Sequence, residues 1–489
     1  MDEPVAATPP GEPVGLSAPD APVVVSAAPV LADAPVIVSA ATVLPAPLVV
    51  VPNAPVLPVP PAVPSAPVLP PSTYKVGGTV SGLVGTGLVL QNNAGDDLVI
   101  SADGSFTFTT AIAAGASYAV TVKSQPRIAT KVCTVSGGSG TIAAANVSDV
   151  AVTCAVPTTR FAYSVDYGAD KLYAFNVDPA TGALSAMAVA TADTGPTPIS
   201  VAVDPTGRFA YVSNYGGASV SGYALDAGSG ALTPMATPTV ATQSLPIAIT
   251  VDPTGRFLFV ANNGAGTVSS YAIDPVTGAL SLIGAPVATG RSPYYVAVDP
   301  TGRFAYVPNW LDNTVSSFTI DQASGALTEM PGPRVATGSY PISMKVDPSG
   351  RFAYVANYMS NNISAYAIDS TTGALTAMGG PNAPTGLRPV ATAVDPSGKF
   401  AYTVNYSSHT VSSFAIDSAS GMLSAGPTAA TGQYPVNLTV DPTGRYAYVA
   451  NYGDGTVSAY TIDAASGAMR PAGAATPAGS YPYSIALSR

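Results

Sequence analysis

One histidine, His409, and one tryptophan, Trp310, occur in a chain of 489 residues. Both fall in short loops whose neighbours could meet a ligand. Asp170, Asn263, Asp312, Tyr358, Tyr406 and Asp454 occupy comparable loops, and a second series of connectors carries Leu245, Arg291, Tyr340, Arg388, Tyr434 and Tyr481. An arginine fork pairs with two oxygens of a carboxylate or phosphate, and flat aromatic rings lie well on the apolar faces of sugars. Arg291 shares a repeat with Trp310, and Arg388 shares one with His409, so cation and ring come together twice. Arg291, Trp310, Arg388 and His409, with Tyr340, Tyr358, Tyr406, Tyr434 and Tyr481, are therefore the expected binding set for a small anionic or sugar-like ligand or a protein partner. The competing account has the rings pack one another, the arginines stand in solvent and His409 serve as an ordinary loop residue. For catalysis the available combination is His409 with Asp170 or Asp312, provided the base reaches its proton. No serine elbow and no Cys/His ligand cluster is present, so neither that hydrolase route nor a metal or other cofactor is implied.

Positioning these loops falls to a repeat. Asp204-Pro205-Thr206-Gly207-Arg208-Phe209-Ala210-Tyr211-Val212 recurs from Asp252, Asp299, Asp347, Asp395 and Asp441, and its basic position falls at Arg160, Arg208, Arg256, Arg303, Arg351, Lys399 and Arg445. Seven units of this period without a 3.6-residue pattern predict blades of a β-propeller. In one unit the predicted strands are 198–203, 209–214, 220–226 and 232–240. Pro in the second and Gly in the fourth turn position suit a type I turn between the first two, with the Asp carboxylate accepting its amides. That turn role accounts for the acidic residues without a metal. The first unit lacks its leading strand, and Ser480 to Leu487 matches the missing piece, so the C-terminal strand is expected to close the ring and remove two sheet edges. Strand alternation puts the Asp-Pro-Thr-Gly turns on one uniform face and the loops named above on the other. A shared scaffold should depart from its consensus where a ligand is met.

The predicted class is all-β: a propeller over 157–489, a small β-sandwich over 74–156 and a Pro/Ala/Val-rich disordered stalk over 1–73. Dense proline there, with a near-duplication of residues 21–27 at 34–40, predicts an extended spacer. The only cysteines, Cys133 and Cys154, lie in the sandwich segment. A disulfide between them would contribute about 3 kcal/mol and point to an oxidising compartment; two reduced thiols are the alternative. No signal peptide is visible at Met1-Asp2-Glu3-Pro4, and the apolar run 36–51 is broken by Pro45 and Pro47, so no transmembrane segment is expected. A net charge of −10 with scarce lysine excludes nucleic acid and disfavours anionic membranes.

At Tyr354-Val355-Ala356-Asn357-Tyr358 and Tyr448-Val449-Ala450-Asn451-Tyr452 the chain resembles the lactonase-like seven-bladed propellers with YVTN-type repeats, which include one class of 6-phosphogluconolactonase. The resemblance covers 157–489 and implies the fold more strongly than the activity. Members are expected to use a His, Glu and Arg grouping, whereas the propeller's one glutamate, Glu329, falls in a predicted outermost strand. Gly77 to Gly82, Gly104 to Phe108 and the paired cysteines make 74–156 resemble Ig-like or carboxypeptidase-regulatory-like modules of bacterial surface proteins. The reading favoured by the sequence is an extracytoplasmic binding or scaffold propeller, secreted, periplasmic or at the cell surface. A lactone hydrolase is the alternative, and a structural surface protein the third.

Overall fold

A computed structural model describes residues 72–126, 131–156 and 158–488. The stalk lies outside them apart from its last two residues. No helix is present among the described residues, and none that is long and apolar enough to cross a membrane.

Residues 158–488 form seven sheets around an axis, as the period predicts. In blade two the strands are Pro198–Val203, Phe209–Asn214, Ser219–Leu225 and Leu232–Ala241, in that order from the axis outwards. Blade one comprises Phe161–Asp166, Lys171–Val177 and Leu184–Asp193, completed on the axis by the C-terminal strand Pro482–Ser488. Blades three to seven follow in chain order. The outermost strand departs from the four-strand reading in blades three, four, five and seven, where it is split, as into Leu280–Leu282 and Val287–Ala288. Gly284 and Pro286 occupy that gap, and a sheet edge tolerates the missing donor.

The consensus residues hold each blade to the next. Asp204 accepts Arg208 N–H at 2.7 Å and Phe209 N–H at 2.7 Å through one oxygen and Thr206 N–H through the other. Five further turns repeat this. Arg208 stacks over Phe209 and donates to Pro275 O in the outer hairpin of blade three, while Tyr211 Oη donates to Gly278 O at 2.7 Å. Gly278 has φ +74°, and a Cβ there would meet the Phe209 ring at 2.5 Å, so both conformation and packing demand glycine.

The described residues of 73–155 form two four-stranded sheets and one short two-stranded sheet around one core that includes Val76, Leu90, Phe108 and Val152. Cys133 and Cys154 face one another on antiparallel neighbours, Cα atoms 3.9 Å apart, and form the expected disulfide.

Candidate functional site

The loops of the variable face are built on a buried amide. Asn309, fully buried at the end of its strand, donates to Thr314 and Ser316 hydroxyls and accepts Gly290 N–H at 3.0 Å, tying loop and connector together. Asn214, Asn262, Asn357, Asn405 and Asn451 stand in the same place; in blade one it is Asp166, which accepts Gly168, Ser480 and Tyr481 N–H. The next residue is aromatic in six blades: Tyr167, Tyr215, Trp310, Tyr358, Tyr406 and Tyr452. Blade three has Asn263 there.

Further round the turn, Asp170, Asn313, Asn361 and His409 all have φ between +51° and +54°. Each accepts the amide of a connector residue: Thr197 on Asp170 at 2.7 Å, Tyr340 on Asn313, Arg388 on Asn361, and Tyr434 on His409 Nδ1 at 3.0 Å. His409 therefore takes a position that Asn or Asp fills elsewhere. With Nδ1 accepting, the neutral imidazole carries its proton on Nε2, which makes its second nitrogen a donor rather than a base.

Asp312 accepts Arg291 N–H at 2.7 Å and Arg291 Nε at 2.6 Å. Those bonds hold the Asp312 carboxyl below its ordinary range. Arg291, with a side chain 73% exposed, lies one residue earlier in its connector than Arg388 does and corresponds to Leu387. The two arginines are thus not equivalent. Arg388 occupies the connector position of Tyr340 and Tyr434, half-buried, with its guanidinium 5.5 Å from the Tyr358 ring centre. Asp454 Oδ2 accepts Gln433 N–H at 2.7 Å, beside Tyr434. Leu245 is exposed at the rim.

Trp310 is enclosed by Tyr294, Tyr340 and Tyr358, with centroids 4.9 to 5.3 Å away, so little of its face is open to a ligand. Tyr406 packs on Tyr434 at 5.0 Å, and His409 meets Tyr434 edge-on. Tyr481 stacks on Tyr452, and Tyr483 contacts both Tyr452 and Tyr167. Tyr294 and Tyr483, from blades four and one, both line the axial cavity. Burial pushes Tyr294 and Tyr452 up to about 12 and Tyr483 well above the usual phenol value, so all three are neutral donors at pH 7. The structure thus joins Arg388, Tyr358, Tyr406, His409 and Tyr434 in one crescent, with Tyr481 on its Tyr452 neighbour, and leaves Arg291 with Asp312 at the rim. Tyr167, Tyr215, Tyr294, Tyr452 and Tyr483 belong to the same face and were not singled out from the sequence; the recurrence of an aromatic after the buried Asn would have found three of them. Glu329 lies in the outer strand Leu327–Glu329, bonded to Arg334 at 3.0 Å. Among the described residues no group of His, Cys, Asp or Glu could hold a metal.

A ring of seven sheets with the C-terminal strand as clasp defines a seven-bladed β-propeller. The model of the family described as "Lactonase, 7-bladed beta-propeller" matches residues 91–335, 295–386 and 380–483, and the chain belongs to that family. A 6-phosphogluconolactonase-like protein of Bacteroides uniformis superposes with TM-score 0.60 at 18% identity, over 68% of this chain and 100% of the other. Another from Bacteroides fragilis gives 0.59 at 20%, over 68% and 98%. The periplasmic gluconolactonase of Pseudomonas aeruginosa gives 0.57 at 22%, over 68% and 99%. At these identities the likeness is one of fold. No curated protein matches the chain.

Proposed function

We propose that the chain opens a sugar lactone on the crescent around Arg388. The observation that carries this reading is Arg388 itself: of the two arginines singled out on the variable face, Arg291 is ion-paired with Asp312, whereas Arg388 has no carboxylate partner among the described residues and lies over the Tyr358 ring. Family membership supports the reaction class. Lactone opening needs a base for water and stabilisation of the oxygen that becomes negative. Arg388, neutral phenols and His409 Nε2–H supply the second. Asp454, an exposed carboxylate in the loop beside Tyr434, is the base in this reading. Water adds to the carbonyl carbon and its proton passes to Asp454; the ring C–O bond breaks and the departing oxygen takes that proton back from Asp454, giving the hydroxy acid.

The test is acid release from glucono-1,5-lactone and 6-phosphogluconolactone, followed against the spontaneous rate. The full chain should accelerate release, and Arg388→Ala should lower kcat/KM by about 10²- to 10³-fold, as for loss of an oxyanion donor; Asp454→Asn should lower kcat. No acceleration by the native chain would sink the reading. One observation favours a non-catalytic binder instead: the propeller's glutamate is on the outside, and Asp170, Asp312 and Asp454 each accept a backbone amide. In that case lactones or aldonates bind without turnover, and Arg388→Ala weakens binding by about 1.5 to 3 kcal/mol. An extracytoplasmic setting, supported by the disulfide, belongs to either reading.

A further inference from the structure

The innermost strands enclose a cavity of about 450 Å³ on the propeller axis, within the range of small-molecule sites. Its lining runs from Tyr294 and Tyr483 at the variable-face end to Val203, Val251 and Val440 at the Asp-Pro-Thr-Gly end. Two positions of the wall carry small or short polar residues in nearly every blade. The second residue after the leading proline is Ser200, Ala248, Ser343, Ala391, Asn437 or Ser484 in six blades, but Tyr295 in blade four. Two residues further on stand Ala202, Thr250, Ala297, Ala393, Thr439 and Ala486, but Lys345 in blade five. These two departures meet: Lys345 Nζ lies 5.6 Å from the Tyr295 ring centre.

Four of these residues also tie one innermost strand to the next. Ser484 accepts Val201 N–H, Ser200 accepts Ile249 N–H, Ser343 accepts Thr392 N–H and Asn437 accepts Ile485 N–H, each bond joining one innermost strand to the next. Ala248 and Ala391 leave gaps in this belt, and blade four fills its place with a ring; its innermost strand is shortened to Ala297–Val298, with Pro293 joined by an isolated bridge to Asn309. Blade five then adds the one charged side chain of the lining, with no carboxylate in the cavity to answer it. The six carboxylates at the ends of the innermost strands, such as Asp347, are occupied by amides of their own turns.

We propose that this cavity is a second ligand site, distinct from the crescent, which takes a small carboxylate: Lys345 pairs with the anion, Tyr295 and the valines contact its carbon skeleton, and Thr250 and Thr439 flank it. Lys345 is half-buried and is the one charged side chain on a mixed polar and apolar wall that offers it no carboxylate, and a bound carboxylate supplies the counter-charge. Tyr294 and Tyr483 stand at the variable-face end of the cavity and the valines at the other.

Isothermal titration of the full chain with sodium acetate, benzoate and gluconate, against sodium chloride at matched ionic strength, tests this. At least one carboxylate should bind saturably at one site. Lys345→Met, which keeps the stem and removes the charge, should weaken it tenfold or more, and Lys345→Arg should retain most of it. Arg388→Ala should leave this site unchanged, so failure here and failure of the crescent reading are separable. No saturable binding, binding unaltered in Lys345→Met, or binding lost in Arg388→Ala instead overturns the proposal. So does a Lys345→Met chain that merely melts lower with no carboxylate effect, which makes the lysine a counter-charge to the aspartate turns.

Discussion

His409 shows how far a rare residue type can mislead about role. Its left-handed backbone and the bond from Tyr434 N–H to Nδ1 repeat what Asn313 and Asn361 do two and one blades earlier. His409→Asn should therefore leave thermal stability within about 0.5 kcal/mol of the native chain. His409→Ala, which removes the acceptor and keeps the unfavourable φ, should cost about 1 to 2 kcal/mol. Paired denaturant melts decide it, and an Asn variant as damaged as the Ala variant would make the imidazole itself essential. In the lactonase reading the Asn variant also keeps a donor near the crescent, so its rate should fall less than that of Arg388→Ala. At Arg388 the connector uses the amide, bound to Asn361, while the guanidinium lies over the Tyr358 ring.

At the scale of the elements, stability lies in the fit of each outer hairpin against the preceding blade. Tyr211 Oη bonds Gly278 O, and Tyr163, Tyr306 and Tyr354 repeat this; the buried hydroxyls of Tyr402 and Tyr448 lack a partner among the described residues. Tyr211→Phe should cost about 1 kcal/mol, while Tyr402→Phe, already the state of Phe259 in blade three, should be neutral or stabilising. Equal losses in the two melts would contradict this account. The same elements set the pH response. In the hairpins the carboxyls of Asp178, Asp226, Asp274, Asp321, Asp369, Asp417 and Asp463 sit below their ordinary value because Ser or Thr and backbone N–H groups bond the charged form. A depressed acid stabilises the fold above its unfolded pKa and stops doing so as pH falls through the folded one, so stability should decline below about pH 4. Burial raises the phenols of Tyr163, Tyr211, Tyr306 and Tyr354, which are neutral in the fold and ionise more readily when unfolded; stability should fall again above about pH 10. Midpoints of urea unfolding across pH 3 to 11 should trace a plateau with both shoulders, and a single slope through neutrality would be the wrong shape.

For the whole molecule, the ring was legible because its period is carried by residues that cannot vary independently: Asp204 needs its turn amides, Arg208 its stacking ring, and Gly278 the space under Phe209. The crescent was half legible. Departures from the consensus located Arg388, Tyr406 and Tyr434, but Arg291 was aligned one residue off, although Pro293 and Pro389 mark the register that the bonds of Asp312 and Ser408 to Arg291 and Leu387 repeat. Tyr294, Tyr295 and Lys345 went unremarked because they lie in innermost strands, where a change of side chain alters the channel without touching any motif. Closure was readable from the missing first strand, and it carries the last prediction. Pro482–Ser488 pairs with Phe161–Asp166, buries Ile485, and sends Ser484 to blade two while receiving Asn437 from blade seven. Ending the chain at Tyr481 exposes the Phe161–Asp166 edge and both flanking blade faces, a loss of more than about 5 kcal/mol by core-truncation costs. Size-exclusion and thermal melts of the truncated chain should show aggregation or loss of the cooperative transition, with partial rescue by a peptide of residues 481–489. A truncated monomer melting within a few degrees of the full chain would mean that the ring is held by its blade-to-blade contacts without the clasp.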